Sequence, residues 1–279
     1  ISASEGGVIS GYQFNELAID WRRGFAYLVN SDASASVAGI RRFNLRSMKE
    51  DRQARMTDIT SASPANFPDT LYCGTDGFLY LNVGSSNSQP ILRVDPDALR
   101  EVARFGVSGP SLVNSTTSFA ACSWMGMVSA LGPQGRVDFL LTGSIFNKLG
   151  LLKAEGLAYV WGAEQAVAES RVRGVVGGIV AEGYGEGWIL ASASSTVTNH
   201  TSLALYRIRV TAFVNYDAAL GQTSGVTLDL MQAFLPSEIE AGASGFYGDA
   251  GGLTYDPTDD SVIFQVQMSE AGSPGAIRT

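Results

Sequence analysis

Short apolar runs alternate along the chain with tight clusters of Gly, Asp and Pro, and the alternation recurs five times. Each instance predicts a β-hairpin, because the apolar runs have strand length and the clusters supply turn conformations that other residues resist. The first hairpin joins residues 17–20 to 25–29 through a turn at 21–24. The second joins 71–73 to 78–81 through Gly74-Thr75-Asp76-Gly77, and the third joins 127–130 to 137–141 across Gly132-Pro133-Gln134-Gly135. The fourth joins 179–182 to 188–191 across a glycine-rich turn at 183–187, and the fifth joins 253–256 to 262–266 across 257–260.

Tyr27, Tyr80, Phe139, Leu190 and Phe264 hold the same place in these hairpins, at spacings of 53, 59, 51 and 74 residues. Buried packing between neighbouring sheets is the reading of this row. A third strand follows most hairpins, at 39–45, 91–95, 157–161 and 203–210. The last of these alternates apolar and cationic side chains in Tyr206-Arg207-Ile208-Arg209-Val210, the pattern of a half-buried strand. Fourth strands are read at 101–105 and at 171–175. Residues 47–57 are expected as a solvated connector, residues 228–241 as a place for a short helix broken by Pro236.

The run from Leu71 to Arg104, with Leu92-Arg93-Val94-Asp95-Pro96-Asp97 between its third and fourth strands, resembles blades of the β-propeller repeat superfamily, quinoprotein-like and lactonase-like blades among them. No single family is assignable, and the Gly-His…Trp-Asp pattern of the WD type is absent. The resemblance implies an all-β fold, a β-propeller of four-stranded antiparallel blades, in one domain over 1–279. The blades fall at about 17–60, 71–106, 127–176, 178–235 and 252–279. A two-sheet sandwich is the alternative, since it too uses many short strands. The ending Ala276-Ile277-Arg278-Thr279 matches the opening of a third strand, so the last blade is expected to be incomplete, with more blades beyond it as the favoured reading and closure by residues 7–12 as the alternative.

Composition narrows the function. With 19 Lys plus Arg against 27 Asp plus Glu the net charge is −8, and no basic stripe exists to neutralise phosphates, which argues against nucleic acid. No stretch of about 18 apolar residues predicts a membrane helix. Cys73 and Cys122 are too few for a disulfide framework; buried thiols are the favoured reading and one bridge between them is the alternative. The triplets beginning at Asn114 and Asn199 have the form of glycosylation acceptors, and chance accounts for them in a chain so rich in Ser and Thr.

Candidate chemistry is sparse. His200 is the single histidine and is read as an exposed loop residue, so a His-based triad or zinc site has nothing to build on. Asp20, Glu182 and Asp256 stand where three strands enter their turns. Turn capping is the favoured reading, and a ring of carboxylates that binds Ca²⁺ or acts as acid and base is the alternative, which would make the chain a propeller hydrolase or lyase. The Gly177 to Gly187 cluster lacks the Lys-Ser/Thr of a phosphate loop and is read as turn glycines. The loops between second and third strands, at 30–39, 84–89, 142–156, 192–202 and 269–275, are rich in Ser, Asn and Thr. Asn30, Asp32, Asn87, Asn147, Asn199 and His200 are their candidate ligand-binding residues. The expectation is a non-enzymatic binding or assembly module without a cofactor. It would serve a protein or glycan partner, as a virion, tail or secreted surface component.

Overall fold

The computed structural model describes residues 14–30, 38–61, 68–83, 90–106, 124–144, 148–164, 171–194, 199–217, 222–239, 245–247, 253–264, 266–269 and 277–278. Cys122, the Asn114 triplet and the candidates Asp32, Asn87 and Asn147 lie outside these residues. The chain divides into two compact units, Ile1–Ala121 and Cys122–Thr279.

The first unit holds two four-stranded antiparallel meanders. One is β1 (Phe14–Asp20), β2 (Phe25–Asn30), β3 (Gly39–Asn44) and β4 (Lys49–Arg55), followed by a single helical turn, α1 (Met56–Ile59). The other is β5 (Pro68–Cys73), β6 (Leu79–Val83), β7 (Ile91–Asp95) and β8 (Arg100–Phe105). Their facing side chains make one core in which Tyr27, Ile40, Met56, Leu79, Leu81 and Leu92 are buried. Residues 47–57, expected as a connector, hold β4 instead. Five of its seven residues are charged and most are exposed, which is how an outer strand keeps its unpaired edge in water.

The second unit begins with the meander β9 (Trp124–Gly132), β10 (Gly135–Ser144), β11 (Lys148–Lys153) and β12 (Ala158–Glu164). Next come β13 (Arg171–Ala181), β14 (Tyr184–Ser194), β15 (Asn199–Asp217) and β16 (Gln222–Phe234), paired in that order. Between the two sheets lie Val128, Phe139, Leu141, Val175, Ile189 and Ile208. A four-residue helix, α2 (Pro236–Ile239), and short strands complete the unit: β17 (Gly245–Tyr247), β18 (Leu253–Asp256), β19 (Ser261–Phe264), β20 (Val266–Ser269) and β21 (Ile277–Arg278). β17 joins the end of β15 and β20, β20 pairs β21, and the hairpin β18–β19 places Leu253 and Phe264 against Leu190, Leu203 and Phe234.

All five predicted hairpins are present. Their shared hydrophobic position is deeply buried in four cases, Tyr27, Tyr80, Phe139 and Leu190, while Phe264 is half-buried with its ring 5.6 Å from that of Phe234.

Four further expectations change. Residues 142–156, read as a polar loop, contain β11. Leu149 to Leu152 are buried throughout, so the strand shows no alternation to betray it. The strand at 157–161 is therefore fourth in its sheet rather than third. Residues 171–175 do not close that sheet, because they are the first half of an eleven-residue strand that pairs β14. Residues 228–234 are strand, and Pro236 opens α2 rather than breaking a helix, since a first-turn residue needs no N–H partner.

The glycine cluster has a different cause from the one expected. Gly183, with φ +82°, does sit in a turn. Gly177 and Gly185 sit in strands pressed against β9. A Cβ on Gly177 would lie 1.6 Å from the Met127 carbonyl oxygen, and one on Gly185 would lie 2.0 Å from that of Ser129. Stacked sheets usually stand about 10 Å apart, so these glycines let β9 meet β13 and β14 backbone to backbone.

Candidate functional site

One turn design recurs at the ends of the hairpins. An Asp or Asn ends the strand and its Oδ1 accepts backbone N–H groups of the turn, while the residue four positions on takes a left-handed conformation. Asp20 accepts from Arg23 at 3.1 Å and Gly24 has φ +71°. Asn44 accepts from Arg46 and Ser47, each at 3.0 Å, and Met48 has φ 53°. Asp95 accepts from Asp97 at 2.7 Å and Ala98 at 2.9 Å, and Leu99 has φ 51°. Asp256 accepts from Thr258 at 2.9 Å, and Asp260 has φ 57°. An acceptor two or three residues before the reversal stabilises it.

In the first unit three turns surround a cleft of about 350 Å³. Asp20, Arg22 and Arg23 come from the β1–β2 turn, Gly74 to Phe78 from the β5–β6 turn, and Asp95, Pro96 and Asp97 from the β7–β8 turn. Arginines cross it to backbone carbonyls of the other sheet. Arg22 donates to Thr75 O at 3.3 Å and Arg23 to Gly77 O at 2.6 Å. Arg42 donates to Pro96 O and to Asp97 Oδ1, both at 3.0 Å, and closes a two-pronged pair with Asp51. Arg52 reaches the Asp97 carbonyl. Planar guanidinium groups present several donors at once, so each arginine can serve a carbonyl and a carboxylate together.

Two stacked cations repeat beneath the cleft. Arg42 lies over Phe25, 4.4 Å from the ring centroid, and Arg93 lies over Phe78 at 3.5 Å. Both face the repeated aromatic across the ladder, Arg42 opposite Tyr27 and Arg93 opposite Tyr80. Asp76 accepts from Tyr80 Oη at 2.7 Å and from Arg93 at 3.0 Å. The position equivalent to Asp76 in the first repeat is Arg23, and there the buried Tyr27 hydroxyl has no hydrogen-bond partner among the described residues.

The electrostatics follow from this wiring. Burial pushes the Asp20 carboxyl up, but the Arg23 hydrogen bonds and charge outweigh it and leave the group below its ordinary value. The Ala98 N–H holds Asp95 down. Burial raises Tyr80, with Asp76 adding to it, and raises Tyr27 to about 12 and the Cys73 thiol to about 11. At neutral pH Asp20 and Asp95 are charged, and the Tyr27 and Tyr80 phenols and the Cys73 thiol are protonated. Trp21 stands beside the arginines at the tip of the β1–β2 turn, 76% exposed, and the side chain of Asp97 is 73% exposed. The β1–β2 turn therefore sets an exposed aromatic face next to two residues of the cleft, Asp20 and Arg22, a surface that suits a polar ligand with a flat or apolar side.

The carboxylates singled out in the sequence are not all alike. Asp20 lines this cleft, Glu182 is exposed in the β13–β14 turn, and Asp256 caps its own turn. Asp20 belongs to the first unit and the other two to the second. Among the described residues no three His, Cys, Asp or Glu side chains gather as a metal site. Asn30 ends β2, and Asn199 and His200 begin β15. His200 pairs with Phe246 and Ser194, so it is a strand residue and not the loop residue expected. The arginines and Trp21 were missed because Arg22-Arg23 and Arg41-Arg42 are too short to stand out as charge runs. The signal was the recurrence of Arg42 and Arg93 after the aligned tyrosines.

No protein-family model matches the chain, and no curated protein matches it. Solved structures do. A chain of the hydrazine synthase of Kuenenia stuttgartiensis aligns at TM-score 0.50 and 11% identity over 92% of this chain and 64% of that one. A chain of a mitotic checkpoint complex aligns at 0.49 and 11% over 95% and 63%. The Cps50 (Swd1) beta-propeller domain of Myceliophteria thermophila aligns at 0.49 and 11% over 96% and 72%. The chain thus spans a little under two thirds of the first two. Such low identity bears on fold alone. Among the described residues no helix is long and apolar enough to cross a membrane. Repeated four-stranded antiparallel meanders are the blade pattern of a β-propeller, and the likeness to solved structures supports that fold, with no single family assignable.

Proposed function

We propose that the chain is a non-enzymatic binding or assembly module that engages a protein or glycan partner through the cleft at the β1–β2, β5–β6 and β7–β8 turns. The reading extends to a virion, tail or secreted surface component as its setting. The observation that carries the binding role is Trp21, 76% exposed in the β1–β2 turn between Asp20 and Arg22, both of which line the polar cleft. An aromatic of that size left in water gains most when a partner covers it, and Trp and Arg dominate binding energy where they occur together. The paired Arg–Asp lattice holds the surrounding turns in place, so the surface is preorganised.

Two measurements test the reading. Titration with a panel of oligosaccharides and short polar peptides, followed by the Trp21 indole resonance, should show saturable shifts that Trp21→Ala abolishes. Saturable turnover of lactones, phosphoesters or glycosides by the purified protein would overturn it.

A further inference from the structure

The outer strands of the four meanders are treated differently. β4 carries Lys49, Glu50, Asp51, Arg52 and Arg55, and β8 carries Arg100, Glu101 and Arg104. Charges of this density keep other strands from pairing with an open edge. β12 has a single charged residue, Glu164, but the far end of the β15–β16 ribbon reaches it, where Thr223 Oγ1 donates to Val160 O at 2.6 Å. Beyond Thr223, β16 has neither protection. Its thirteen residues include no Lys, Arg or Pro, and its one carboxylate, Asp229, lies 3.5 Å from Arg207 of β15. Among the described residues β16 pairs only with β15. Its single irregularity near this end, between Leu205 and Tyr206 of the ladder, adds Met231 to β16 and leaves 226–230 in continuous register with 206–210.

We infer that β16 is an assembly edge and that its occupant is a second copy of this chain, added antiparallel about a two-fold axis at Leu228. Two features select that occupant. The chain carries a net charge of −8, so two copies approach at least cost along a stretch that is nearly neutral, and β16 is such a stretch. An antiparallel edge is also complementary to itself under a two-fold rotation. The axis at Leu228 follows from the side chains. Val226, Leu228 and Leu230 share one face of the strand, with Val226 and Leu228 packed toward the core and Leu230 54% exposed. About that axis Leu228 meets its own copy and Leu230 meets Val226 of the mate, which continues the apolar row across the seam and covers Leu230. On the other face Asp229 meets Thr227, so no like charges oppose. An axis at Asp229 would set the two carboxylates against each other.

Sedimentation velocity and light scattering on the full chain over a concentration series test this. The mass should rise from 29.5 kDa toward twice that value. Thr227→Asp sets carboxylates opposite Asp229 of the mate and should weaken the dimer by about tenfold or more, whereas Thr227→Lys should leave it equal or tighter. Residue 227 is exposed, and far-UV circular dichroism should show both variants folded. Concentration-dependent protection of amides 226–230 in hydrogen exchange gives a readout on the wild-type protein alone. A wild-type mass that stays at 29.5 kDa, or a dimer indifferent to both substitutions, overturns the inference.

Discussion

Arg93 lies on the face of Phe78 with its guanidinium carbon 3.5 Å from the ring centroid, and the same hand holds Asp76 at 3.0 Å. Arg42 repeats the stack on Phe25 and turns its remaining donors to Asp51, Asp97 and the Pro96 carbonyl. Arg42→Ala should destabilise the protein by about 2 kcal/mol or more, because it leaves partly buried acceptors unpaired. Arg42→Lys should recover little of that loss, since an ammonium cannot stack and bond in two directions at once. Urea unfolding checks both; a lysine variant as stable as wild type would show that charge alone matters.

Tyr27 and Tyr80 hold equivalent positions, but among the described residues only Tyr80 has a partner for its hydroxyl. Tyr80→Phe should cost about 1 kcal/mol. Tyr27→Phe should be neutral or slightly stabilising, because it removes a buried polar atom that bonds to nothing. Opposite signs in a thermal melt support the difference, and equal losses would refute it.

Stability should fall at both ends of the pH scale. Asp20 and Asp95 have lowered values in the fold, so their contribution is present above the ordinary carboxylate value of 3.8 and is lost as pH falls below it. Asp20→Asn should flatten the acid limb. On the alkaline side Cys73 rises from 9.0 to about 11 and Tyr27 from 10.0 to about 12. The folded state keeps these protons where the unfolded state releases them, so stability declines as pH climbs through 9.0 to about 12. Tyr27→Phe should reduce that slope, as read by denaturant midpoints across the range.

Gly177 and Gly183 should respond differently to alanine. At Gly177 a methyl group would collide with the Met127 carbonyl, and the loss should exceed about 4 kcal/mol as the sheets are forced apart. At Gly183 nothing lies within 4 Å of the added carbon, and the penalty should be the left-handed backbone alone, about 1 kcal/mol.

Met48 occupies a left-handed position with φ 53° and is 61% exposed. Met48→Gly should raise stability by about 0.5–1 kcal/mol, since it relieves strain and forfeits little burial. Leu99 has the same conformation but is fully buried, and Leu99→Gly should lower stability because the lost core outweighs the relief.

Hairpins were legible in the sequence because turn chemistry is local. Asp20, Asn44, Asp95 and Asp256 act within four residues of themselves, and the buried row at Tyr27, Tyr80, Phe139 and Leu190 follows from the two-residue period of a strand. The tertiary structure decided what depends on neighbours distant in sequence. β11 is buried on both faces and β4 on almost none, so neither alternates. Gly177 and Gly185 owe their identity to carbonyls of β9 about fifty residues away. The cleft is made by arginines of one sheet reaching carbonyls of the next, as Arg23 does to Gly77 and Arg42 to Pro96, and no spacing along the chain announces a bond that forms only when two sheets pack.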